Sequence, residues 1–249
     1  MPMNPANRRI RMVGDATPVS LTVLQLAALQ QLSSPALPIG GFSYSQGLEA
    51  AVELELITDE ASAGQWIHHY FTTLVADTEA PLWLIFFEHI QQQDWDEVSA
   101  CNEWFFASRE SHELRKETEQ MGWSLLNLAK SLQWGSPAEQ APLQRITPIT
   151  LPVVHAFLCA YWQLPAAAGL GAYLMTNLEN QIAAAIRSVP IGQIAAQRIL
   201  NALRTHLPDV MEEAARRAHA SPYDLDNLAP QYAMVAARHE SQFSRLFRS

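Results

Sequence analysis

Along almost the whole chain, apolar residues recur every three to four positions, and no segment alternates apolar with polar residues for long enough to make a strand. A repeat near 3.6 residues gathers side chains on one face of an α-helix, whereas a half-buried strand needs a repeat of two. The expected fold is therefore all-α: a single-domain bundle of roughly nine to eleven helices with no β-sheet. Leu21, Leu24, Ala28 and Leu32 share one face of a first helix, which Pro35 ends. Thr58, followed by Asp59 and Glu60, suits the cap of a helix carrying Ile67, Phe71 and Leu74. Asp77 or Thr78 suits the start of the next, with Pro81 in its first turn and Leu82, Ile85, Phe86 and His89 turned inward. Asp94 begins another.

Residues 109–119 mix charges of both signs, yet Leu114, Met121, Leu125, Leu128 and Leu132 carry the apolar rhythm through them, as in a long amphipathic helix with a solvated charged face. Gly135, Pro137, Pro142 and Pro148 mark the longest loop, from 134 to 148. Pro152 suits the first turn of the following helix. Residues 166–188, with Leu170, Leu174, Leu178 and Ile182 among many alanines, read as a central helix packed on several sides. Pro190 and Pro208 open two more, and a short helix leads into the tail Ser241–Ser249. Residues 1–19, basic and proline-bearing, are expected to form a flexible tail ahead of one domain spanning 20–249.

Apolar residues make up 49% of the chain and charged residues only 16%, ample for a buried core and sparse for the surface of a lone monomer, so partner proteins are expected to cover part of it. A net charge of −9 with two lysines, Lys116 and Lys130, argues against nucleic acid. No run reaches the roughly 18 apolar residues of a membrane span, and no signal-peptide core follows the N-terminal arginines. Cys101 and Cys159 sit within apolar helical patterns and read as buried thiols in a reducing compartment, so a cytoplasmic location is expected.

The motifs of common chemistries are missing. His112-Glu113 and His239-Glu240 begin like a zinc-protease helix, but Lys116 and Phe243 stand where the second histidine belongs. Neither lysine follows a glycine as a P-loop requires, and Gly40-Gly41-Phe42-Ser43 lacks the second glycine of a nucleophile elbow. No catalytic residue, metal ligand or bound cofactor is assigned. A helical enzyme with a dispersed active site, or a GTPase-activating regulator, stands as the alternative to a protein that works by binding others.

One loop is unusual. Ser33 to Glu49 reads S-S-P-A-L-P-I-G-G-F-S-Y-S-Q-G-L-E, proline- and glycine-stiffened yet greasy. This string resembles the N-terminal hallmark of the UreF family of urease accessory proteins. Residues 109–122, R-E-S-H-E-L-R-K-E-T-E-Q-M-G, resemble that family's charged helix, residues 173–193 its central helix, and 238–249, R-H-E-S-Q-F-S-R-L-F-R-S, its C-terminal motif. Ser111 stands where the family commonly has threonine, a conservative change. The resemblance implies an all-helical, homodimeric accessory protein, not an enzyme, that binds UreD (also called UreH), recruits the GTPase UreG, and takes part in delivering nickel to the urease apoprotein. Nickel would be handled by the complex, and GTP hydrolysis would belong to the partner. It also implies partner contacts at Tyr44, Arg245, Leu246, Phe247 and Arg248. A tyrosine plugging its own core is the plainer reading of Tyr44, and Glu110, Arg115 and Glu117 are candidates for a polar interface or ion path.

Overall fold

The computed structural model describes residues 20–219, 224–225 and 229–249, and the expected N-terminal tail lies outside them. Helix α1 (Val23–Leu32) is closed at its start by a reciprocal capping box between Thr22 and Gln25. Only its last turn is covered: Leu29 and Leu32 are buried, while Leu24, expected to face inward, is 83% exposed. Helix α2 (Leu48–Glu53) follows the greasy loop. Helix α3 (Glu60–Tyr70) is capped by Asp59, one residue later than expected, because the Asp59 carboxylate accepts the Ser62 amide at 2.9 Å.

The expected break at Asp77 or Thr78 does not occur. A π-helical stretch, Phe71–Glu79, carries α3 directly into α4 (Ala80–Gln92). Pro81 lacks an amide hydrogen and its ring crowds the carbonyl four residues back; the looser π register absorbs that mismatch without ending the helix. Asp77 is engaged elsewhere, with Arg217 at 3.1 Å. His89 lies at the rim beside Asp94 at 3.3 Å, while Leu82, Ile85 and Phe86 point inward as expected.

Helix α5 (Trp95–Ser108) starts at Asp94, and α6 (His112–Ser131) at Ser111, whose hydroxyl accepts the Leu114 amide. The 134–148 loop holds one short turn, α7 (Pro137–Gln140), and buries Leu143. Helices α8 (Leu151–Tyr161), α9 (Ala166–Ser188), α10 (Gln193–Leu203), α11 (Leu207–Ala218) and α12 (Pro230–His239) complete the bundle, with no strand among the described residues.

Helix α4 is the hub, packed on α5, α8, α9 and α11, and one continuous apolar core runs from Leu29 to Phe247. Helix α6 lies so close to the entry of α8 that a Cβ at Gly122 would stand 2.6 Å from the Thr150 carbonyl carbon. Asn102 fastens the same entry, accepting the Thr150 hydroxyl at 2.7 Å and donating to the Pro148 carbonyl at 2.7 Å.

Candidate functional site: a C-terminal segment latched to the greasy loop

The two segments singled out by sequence, 33–49 and 238–249, meet. The Ser45 amide donates to the main-chain oxygen of Ser249 at 2.7 Å, and the Arg248 amide donates to the Ser43 carbonyl at 2.8 Å, so the tail lies alongside residues 43–45. Carboxylates on two helices hold the rest. Glu49 of α2 accepts the amides of Leu246 (2.7 Å) and Phe247 (3.0 Å). From α6, Glu113 accepts from Arg245 at 2.5 Å, and Glu117 accepts the Ser249 hydroxyl at 2.7 Å.

His239, at the end of α12, is fully buried between two of these acids. Its Nδ1 lies 2.6 Å from Glu113 and its Nε2 3.1 Å from Glu49. The ring thereby joins α2, α6 and α12 at one point. The two His-Glu pairs dismissed as a zinc motif thus meet crosswise, since Glu240 also accepts the His112 amide at 2.7 Å.

Gln46 sits at the turn into α2 in a left-handed conformation, φ +51°, next to Gly47 at +82°. Four hydrogen bonds fix it there. Its amide donates to Glu117 at 2.7 Å; its side-chain oxygen accepts from Tyr70 at 2.7 Å and Gln181 at 2.9 Å; its carbonyl accepts the Tyr232 hydroxyl at 2.7 Å. Glu117 is therefore turned inward, 5% exposed, and burial pushes its carboxyl up to about 7 against the opposing pull of its hydrogen bonds from Ser249 and Gln46. The charged run is thus split: Lys116 and Glu119 form a solvated pair at 2.9 Å, whereas Arg109 is buried against Glu79 at 3.6 Å.

The expected contact residues divide between core and surface. Tyr44 is only 6% exposed; burial raises its pKa, and a hydrogen bond from Arg248 works in the opposite direction. Phe247 is buried beneath the Arg187 guanidinium, 4.5 Å above its ring. Leu246 is 62% exposed, and Arg245 and Arg248 are also at the surface. Arg248 is the arginine beside Tyr44. Phe243 adds a fully exposed ring next to them. Glu110 has both carboxylate oxygens shielded without a hydrogen-bond partner, and Arg115 donates to the Arg109 carbonyl at 2.6 Å.

Glu49, Glu113 and His239 were not legible as a unit from sequence. The one available signal was the pair Glu113 and Glu117, four apart on α6 and so on one face, beneath a terminus carrying Arg245 and Arg248. Among the described residues no three His, Cys, Asp or Glu side chains are grouped so as to hold a metal ion, and no helix is long and apolar enough to cross a membrane.

Comparison with known proteins gives this arrangement its context. The family model for UreF matches residues 57–204. The urease accessory protein UreF of Bordetella bronchiseptica is 59% identical over 218 residues, covering 88% of this chain and 99% of that protein. The bifunctional urease accessory protein UreEF of the same species is 59% identical over 230 residues, 92% of this chain, which spans about half of that longer protein (53%). UreF of Cupriavidus taiwanensis is 48% identical over 225 residues, covering 90% and 98% of the two chains. The chain belongs to the UreF family of urease accessory proteins.

Proposed function

We propose that this chain serves urease maturation as a scaffold, binding UreD (UreH) and recruiting the GTPase UreG so that hydrolysis on the partner is coupled to delivery of nickel, the cargo, to the urease apoprotein. The observation that carries this reading is the latch. Carboxylates of α2 and α6 hold an otherwise frayable terminus in one conformation, and that terminus presents Phe243, Leu246, Arg245 and Arg248 outward. A pre-ordered apolar patch rimmed by arginines suits a protein partner, because little entropy is lost when it docks. Tyr44 and Phe247 act in this reading as inward anchors that set the patch, and Leu246, Arg245 and Arg248 as its contacting groups. The chain is taken to work as a homodimer within the complex.

Affinity capture of the chain with UreD, UreG and apo-urease tests the proposal. Removal of residues 240–249, or Tyr44→Ala, is expected to weaken UreG retention while far-ultraviolet circular dichroism stays helical. Failure of the intact chain to form any complex with UreD would overturn the reading.

A further inference from the structure

Beneath the latch lies a recessed cavity of about 50 Å³, lined among others by Glu79, Arg109, Glu117, His155, Tyr173 and Asn177. Two polar atoms on these residues are buried with no hydrogen-bond partner: His155 Nε2 and Asn177 Oδ1. Their chemistry is fixed by what the other end of each group does. Trp83 Nε1 approaches His155 Nδ1 at 3.1 Å, and an indole nitrogen only donates, so Nδ1 carries the lone pair. Burial holds this imidazole neutral, with its pKa down at about 3, so its single proton sits on Nε2. For Asn177, the amide nitrogen donates to the Tyr70 hydroxyl at 3.2 Å, while that hydroxyl donates to Gln46 at 2.7 Å; Oδ1 is thereby left as an acceptor.

The cavity therefore offers one orphan donor and one orphan acceptor. A metal cation on His155 Nε2 would need an imidazolate, because the other nitrogen's lone pair is taken by Trp83. An ammonium ion only donates and leaves His155 Nε2–H unmatched; an anion only accepts and would face Glu79. Arg109 already pairs with Glu79 at 3.6 Å, and both oxygens of Glu117 accept from Ser249 and Gln46, so no free carboxylate is left for a cation. A neutral molecule that both donates and accepts fits, and 50 Å³ exceeds the roughly 10–15 Å³ that a cavity needs to admit a water.

We propose that this cavity is a built hydration site, in which ordered waters accept from His155 Nε2–H and donate to Asn177 Oδ1, joining the α8–α9 core to the Glu79–Arg109 pair. The proposal stands independently of any partner. It is tested on the full chain by ¹H–¹⁵N imidazole spectroscopy, together with crystals taken with and without xenon pressure. The expected result is a His155 ring protonated at Nε2 and bare at Nδ1, a cross-peak from that proton to water that vanishes in His155→Gln, and water density within about 3.2 Å of His155 Nε2 and of Asn177 Oδ1. An Nδ1–H tautomer, a bound metal peak, or a dry cavity that takes up xenon would overturn it. The crystals decide the matter even if His155→Gln fails to fold.

Discussion

Glu117 couples the latch to pH. Its carboxyl is pushed up to about 7 in the folded chain, above its unfolded value near 4.5, so the folded state holds a proton there that the unfolded state has already released. The associated stability is fully present below pH 4.5 and is lost as pH rises through 7, on the order of 3 kcal/mol at 1.4 kcal/mol per pH unit. Glu117→Gln is expected to flatten the dependence of melting temperature on pH between about 5 and 7, and an unchanged slope would remove Glu117 as its source. Residue roles were the least legible part of the sequence. Tyr44 and Phe247 were expected as partner contacts, yet both are buried beside Arg248 and Arg187, which arrive from remote segments that no local pattern connects.

At the scale of elements, the latch makes Glu49 the acceptor for two tail amides and one face of His239. Glu49→Ala leaves those donors unmatched in a buried place, at a cost of about 3 kcal/mol to local order. Hydrogen exchange at Leu246 and Phe247 should then quicken by roughly a hundredfold while the α4 amides keep their protection, and equal loss everywhere would show that the latch is not a separate unit. Gly122→Ala is expected to destabilise the whole bundle by about 1–3 kcal/mol in denaturant melts, because the three atoms it would press upon, in Ile149, Thr150 and Leu151, are all backbone. The long helices were legible because their amphipathic period spans several turns, and α9 matches residues 166–188, whereas the single turn α7 is too short to show a period within the expected 134–148 loop. The π-helical join at 71–79 was not, because Asp77 and Pro81 carry ordinary helix-start signals and only the distant Arg217 reveals that Asp77 is spoken for.

Across the whole molecule, the folding core and the proposed docking face are kept apart. Large buried groups such as Trp83, Phe86 and Phe105 lie along the α4 and α5 hub, whereas Phe243 and Leu246 stand in solvent on a segment held by carboxylates. Such a division lets the patch change without cost to the fold: Phe243→Ala combined with Leu246→Ala should alter stability by less than about 1 kcal/mol, both side chains being exposed. If neighbouring proteins complete this latched surface, as proposed, the direct measurement is UreG retained on a UreD-bound chain for the intact sequence and for that double variant. The expected result is at least a tenfold fall in UreG retention with helical content and melting temperature preserved. Equal retention by the two chains would overturn the proposed docking face.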